Sequence, residues 1–181
     1  MSATLMRTMI AMAGLPGAGK STLAAELARR LNAVVLSKDI IRAQLFSPDR
    51  IDFSREQDDL CMKIMFVLAG HLLQSNPERA IIIDGRTFSK SYQVRQFLSE
   101  AESLNAKPLM IECICDEDVV RERLDQDLQA GNHPAANRTY QLYKILKEAA
   151  EAITIEHLVI DTGREPLQKI VERCLEYLKN K

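Results

Sequence analysis

The stretch Gly14-Leu15-Pro16-Gly17-Ala18-Gly19-Lys20-Ser21, continued by Thr22, decides how this sequence is read. It satisfies G-x-x-x-x-G-K-[ST], and it stands where that pattern has chemical meaning, after the apolar run 8–13 and at the head of a helical pattern over 20–31. Glycines have no Cβ, so successive backbone N–H groups can turn inward around a polyphosphate at close range. The first turn of the following helix adds unsatisfied amides and the positive end of its dipole. Lys20 then places an ammonium against the outer phosphates, and the Ser21 hydroxyl is placed to ligate a magnesium ion. Pro16 and Ala18 stiffen the loop without supplying chemistry. Residues 14–22 are therefore the candidate binding segment for ATP with Mg2+; the plain alternative is a glycine-rich strand-to-helix turn that binds nothing.

Working outward, short apolar or β-branched runs at 8–13, 33–36, 80–84, 109–113 and 157–161 alternate with helical patterns at 20–31, 38–45, 54–74, 89–104, 116–128 and about 139–153. That alternation predicts an α/β fold of three layers (α/β/α), with a five-stranded parallel sheet covered by helices on both faces. Ser54 precedes Gln57 in a capping-box arrangement, and Leu60, Ile64, Leu68 and Leu72 recur every fourth position with Cys61 and Met65 beside them, predicting one buried helix face. After Pro166, residues Leu167, Ile170, Val171, Cys174, Leu175 and Leu178 predict a docked terminal helix. Segment 129–137, with Gly131 and Pro134, has neither period and is expected to be a mobile lid within a single domain spanning 1–181.

Composition narrows the function classes. The chain has 181 residues, enough for one core of ordinary size, with 46% hydrophobic and 27% charged residues. Its 24 Lys+Arg balance 25 Asp+Glu at a formal net charge of -1, so no overall field draws a nucleic-acid backbone or an anionic membrane, and any anion must be held locally. No signal-peptide pattern opens the sequence and no uncharged run approaches the roughly 18 apolar residues that span a bilayer, so a soluble, cytoplasmic protein is expected. Cys61, Cys113, Cys115 and Cys174 lack zinc spacing and are expected as reduced thiols, mainly packed in the core.

Two further segments carry chemistry. The run Ala80-Ile81-Ile82-Ile83 ends in Asp84-Gly85, the form of a Walker-B element whose carboxylate holds magnesium directly or through water; Asp84 could equally terminate the strand and cap the next turn. Ser37-Lys38-Asp39-Ile40-Ile41-Arg42 places an acid and an arginine three residues apart, on one helix face at the sheet edge that carries ligands in open α/β folds. With G-x-x-G-x-G-K-S-T at 14–22, S-x-D-x-x-R at 37–42 and I-I-I-D-G at 81–85, the sequence resembles the P-loop kinase group that includes polynucleotide 5′-hydroxyl kinases, zeta-type toxin kinases and chloramphenicol phosphotransferase. The resemblance spans most of the chain in order and spacing. It implies that Asp39 orients or deprotonates an acceptor hydroxyl and that Arg42 binds the substrate or the transferring phosphoryl group.

Phosphoryl transfer is mostly positioning and charge neutralisation, so arginines flanking the expected lid are candidates to close on the phosphates: Arg121, Arg123 and Arg138. Members of the group continue R-x-R-L-x-x-R here; this chain carries Asp127 at the last arginine position, and Arg138 is placed to compensate across the loop. The alternative for Arg121 and Arg123 is a solvated helix face paired with neighbouring acids. Arg86 follows the Asp84 strand as a possible phosphate or substrate contact, and Asp161-Thr162-Gly163 falls where related folds pass the adenine base. His71 and His157 read as structural, and His133 lies in the expected lid. These features favour an ATP-dependent kinase acting on a hydroxyl of a small molecule. A nucleotide-binding regulatory module, or a kinase of nucleic-acid 5′-hydroxyl ends, is the alternative; the latter is disfavoured by the balanced charge and 5% aromatic content. No N-K-x-D-type segment supports a GTPase. The acceptor has no recognisable code; Phe46, Phe53 and Phe88 either line its pocket or pack.

Overall fold

β1 (Thr8–Ala13) is buried at every position, as a strand in the middle of a parallel sheet must be. The computed structural model describes residues 6–131 and 137–181. In it β1 pairs with β3 (Ile81–Asp84) on one side and β4 (Lys107–Ile114) on the other, and β2 (Val34–Ser37) and β5 (Leu158–Asp161) form the edges. The order is β2-β3-β1-β4-β5 and every pairing is parallel.

Alternation along the strands divides the core between two faces. Met9, Ala11, Ala13, Ile81 and Ile83 pack with α3 (Arg55–Ser75) and α4 (Ser91–Ser103). Ile10, Met12, Ile82 and Ile111 pack with α1 (Lys20–Leu31) and α7 (Leu167–Lys179). α2 (Lys38–Leu45) follows β2 directly and lies against α3. α5 (Glu117–Ala130) and α6 (Tyr140–Glu148) join Leu15 around Val120, Leu124 and Tyr143. The expected three-layer α/β/α architecture is thus present with all five strands and with helices on both faces. Cys61, Cys113 and Cys174 are buried.

The buried face of α3 differs from the expected one. The core side is Cys61, Met62, Met65, Phe66, Ala69, Gly70 and Leu73, while Leu60 and Leu68 are exposed. Apolar residues occur all round this helix, so spacing alone does not select a face; Gly70 lies on the buried side, against Leu104. The Ser54 cap forms, with the Gln57 N–H donating to Oγ at 3.2 Å, but the Gln57 side chain turns to the Arg50 carbonyl at 2.6 Å instead of closing the box.

Three helix ends are displaced for identifiable reasons. α6 stops at Glu148 because the following chain is drawn across the sheet: Glu151 N–H donates to the Ser89 carbonyl at 2.9 Å, and Ile153 and Ile155 pack on the core. The same contact delays α4 to Ser91, whose N–H donates to the Glu151 carboxylate at 2.8 Å. α5 runs on through Gln129 and Ala130 to Gly131, which takes the left-handed conformation at its carboxyl end and donates to the Asp127 carbonyl. Residues 132–136 of the expected lid, His133 among them, lie outside the described residues. Among the described residues no helix is long and apolar enough to cross a membrane.

Candidate active site at the carboxyl edge of the sheet

The loop between β1 and α1 is fixed by backbone contacts that leave no room for side chains. Gly14 has φ 125°, and a Cβ there would stand 2.2 Å from the Cys113 carbonyl oxygen; its N–H donates to the Thr87 carbonyl at 2.9 Å. Gly17, at φ 78°, packs so closely on α5 that a Cβ would meet Val120 Cγ1 at 2.9 Å. α1 then begins without a side-chain cap and without an acid in its first turn, so its leading N–H groups are left for a ligand. Lys20 is buried and its Nζ donates to the Leu15 carbonyl at 2.9 Å. Burial lowers its pKa to about 8, against the opposing pull of the Asp84 carboxylate. The only direct hydrogen-bond partner of this ammonium among the described residues is that neutral carbonyl.

A cavity of about 550 Å3 opens on the α1 side of this loop, lined by Gly17, Gly19, Lys20, Ser21, Thr22 and the residues that follow β5. Arg123 does not stand free in it. Its guanidinium donates to Thr162 Oγ1 and the Thr162 carbonyl, each at 2.9 Å, and to the Gly17 carbonyl at 3.3 Å. The Thr162 hydroxyl donates to the Ala18 carbonyl at 3.0 Å, so α5, the β5 exit and the loop are tied at one point. Arg138 also lines the cavity and is paired with Asp127 at 3.2 Å. The acid at the position of the missing family arginine thus holds the arginine that sequence reasoning offered as its substitute. Arg121 lies elsewhere, exposed and over the Tyr140 ring at 5.3 Å, among the lining residues of neither this cavity nor the next.

A second cavity of about 370 Å3 lies toward α2 and α3. Asp39 and Arg42 both line it, with an Arg42–Asp39 contact of 3.1 Å. Arg42 is almost wholly buried, sits over the Phe53 ring at 5.2 Å and also donates to Asp58, whose other oxygen accepts from Lys38 Nζ at 2.8 Å. Phe53 takes φ 53°, a strained conformation for an aromatic residue, and with it provides the floor for that guanidinium. Next to Asp58, Asp59 accepts from Arg86 at 2.6 Å. Phe88, by contrast, packs edge-on against Phe97 in the core. The two cavities meet: Lys20, Ser21 and Arg138 line both.

Asp84 closes β3 opposite Ser37 in the register, buried, with Oδ1 lacking any hydrogen-bond partner. An orphaned carboxylate oxygen near Lys20 and an exposed Ser21 hydroxyl fit a magnesium ion, which keeps waters and substrate phosphates as its remaining ligands. His157 is held between the Ile155 carbonyl at 2.7 Å and the Glu112 carboxylate at 3.1 Å, a structural tie. Sequence reasoning missed the Asp58 and Asp59 pairings and the Thr162 tie. These two acids carry no pattern of their own in the sequence, and only the fold brings α2 and the β3 exit beside them.

A family model described as an AAA domain, AAA_33, matches residues 9–153. A curated relative, the 6-phosphofructo-2-kinase/fructose-2,6-bisphosphatase of Aquarana catesbeiana, is 25% identical over 186 residues; the match covers 95% of this chain, which spans 38% of that protein. Among solved structures, a candidate kinase from Chloroflexus aurantiacus superposes with a TM-score of 0.74 at 22% identity, covering 94% of this chain and 98% of the other. A gluconokinase from Sinorhizobium meliloti gives 0.67 at 16%, covering 97% and 93%. The APS kinase CysC of Mycobacterium tuberculosis, in complex with AMPPNP and APS, gives 0.67 at 14%, covering 97% and 99%. The chain therefore belongs to the AAA_33 family of AAA domains and has the fold of the P-loop kinases.

Proposed function

We propose that the protein is an ATP-dependent kinase that transfers the γ-phosphoryl group of Mg-ATP to a hydroxyl of a small molecule. The observation that carries this reading is the junction of the two cavities at Lys20, Ser21 and Arg138. A nucleotide-binding module needs one space; a phosphotransferase needs two that meet at the phosphate being moved. The loop amides, Lys20 and the head of α1 would hold the polyphosphate in the larger cavity. Asp39, in the smaller one, would accept the acceptor's hydroxyl proton as its oxygen bonds to the γ-phosphorus, while the bond to the β–γ bridging oxygen breaks and its electron pair leaves with ADP. Arg42 holds Asp39 in place, and Arg138, once released from Asp127, is positioned to neutralise charge on the transferring group. Ser21 and Asp84 would hold the magnesium ion, which when bound neutralises the phosphate oxygens. Arg123 serves the loop as a tether, and Arg121 has no part in this scheme. The kinase relatives and fold neighbours support the reaction class.

The test is a screen of hydroxylated metabolites, antibiotics, nucleosides and RNA ends for acceptor-dependent ADP release. With the acceptor found, Asp39→Asn should lower kcat about 10²–10⁴-fold, the usual worth of a positioned general base, with the Kd for Mg-ATP within about twofold of wild type. Equal turnover by the two proteins would remove Asp39 from the mechanism and favour a binding module.

A further inference from the structure

The smaller cavity gathers cationic side chains in a chain whose net charge is -1. Leaving Lys20 and Arg138 to the nucleotide, Lys38, Arg42, Arg55, Arg86 and Lys90 line it together with Asp39 and Asp58, while Asp59 pairs with Arg55 and Arg86, and Glu151 with Lys90. Two of these charges are set in place with care. Arg42, from α2, and Arg86, from the exit of β3, are each 2% exposed, and consecutive residues of α3, Asp58 and Asp59, hold one apiece. Arg86 is further oriented by Gln96 Oε1 at 3.2 Å and faces the Tyr92 ring at 5.6 Å; Arg55 stacks on that ring at 4.6 Å. Both buried guanidiniums keep an Nε–H without a partner.

Burying a guanidinium is costly because it cannot shed its charge, and a neutral sugar or alcohol would need no such wall. These four acids orient the five cations but leave one positive charge that they do not balance. An anion delivered by the ligand would, and the planar fork of an arginine matches the oxygens of a phosphate or carboxylate. Resting on the kinase reading above, we infer that the acceptor is a sugar- or polyol-sized alcohol that carries an anionic group of its own, phosphate or carboxylate. Arg86 and Lys38 bind that group, and Asp39 meets the free hydroxyl.

The experiment compares matched acceptors on the full chain with saturating Mg-ATP: glycerol, glycerate and glycerol 3-phosphate; glucose, gluconate and glucose 6-phosphate; and a 5′-hydroxyl oligonucleotide. Product formation gives kcat/KM, and calorimetry measures binding of each compound to protein loaded with Mg-AMPPNP. An anionic member should exceed its neutral partner by at least about tenfold, the scale of one charge-assisted contact; the carboxylate and phosphate arms show which anion is preferred. Arg86→Gln should bring that ratio toward one through KM, with kcat and the nucleotide Kd retained, and Arg86→Lys should recover part of it. A neutral member used as well as its anionic partner, preference for the oligonucleotide, an Arg86→Gln loss equal for both members, or no anionic member binding at millimolar concentration would overturn the inference. Phosphorylation of a neutral alcohol, abolished by Asp39→Asn, would do so while leaving the kinase reading intact.

Discussion

Between Gly14 and Thr22, consecutive residues supply the proposed phosphate cradle from backbone amides and one buried lysine. The wall across the junction is made the opposite way. It is assembled from side chains of α2, α3 and the β3 exit, and its members meet only because Asp58 and Asp59 stand between Arg42 and Arg86. A cradle of backbone is written locally, because each turn needs a particular residue at a particular spacing, and it presents the same groups whatever is transferred. A wall of ion pairs is written in separated segments, and it can be altered one residue at a time without disturbing the cradle. On the proposed function, the difference would divide the chemistry between a constant phosphate donor and an acceptor particular to this chain.

Substitutions should separate the two regions, beginning with the largest effect. Lys20→Ala should reduce turnover about 10²–10³-fold, the scale of removing one preorganised charge from a transition state, while the acceptor's affinity for the protein is retained; steady-state kinetics and calorimetry measure the two. On the other side, Asp58→Ala leaves Arg42 with Asp39 alone and frees Lys38. It should destabilise the fold by about 1–3 kcal/mol in urea and raise the acceptor KM severalfold, with the Kd for Mg-ATP unchanged. An equal loss of nucleotide affinity would mean that the two walls are one energetic unit.

The cradle should also be sensitive to pH. Lys20 has a pKa lowered to about 8 in the nucleotide-free protein, and on the proposed function a triphosphate would bind its protonated form. Above pH 8 binding must therefore recruit a proton, and the Kd for Mg-ATP should rise by up to about tenfold per pH unit; below pH 7 this group contributes no slope. Lys20→Ala should abolish the dependence. The smallest effect belongs to the tether: Thr162→Val removes the hydroxyl shared by Arg123 and Ala18 and should weaken nucleotide binding about fivefold, near 1 kcal/mol, with the acceptor KM unmoved.

The same division governs what the sequence disclosed. Strands, most helices and the cradle followed from runs, caps and one motif, because each is specified by residues close together in the chain. The face of α3 did not, since apolar residues surround it. Nor did the end of α6, which is set by Glu151 reaching Ser89 and Ser91. Asp39 and Arg42 could be paired from spacing alone, whereas their third member, Asp58, lies 16 residues from Arg42 and carries no pattern of its own. Arg138 and Asp127 were each noticed, and only the fold joined them.

The central claim is that the turn from β1 into α1 holds a triphosphate at the mouth of a second, acceptor-binding space. Titration of ATP into the protein with magnesium present, followed by calorimetry, tests it most directly: saturable heat at or below millimolar ATP, lost in Lys20→Ala, is the predicted result. The absence of any binding heat from the wild-type protein at millimolar ATP would contradict it.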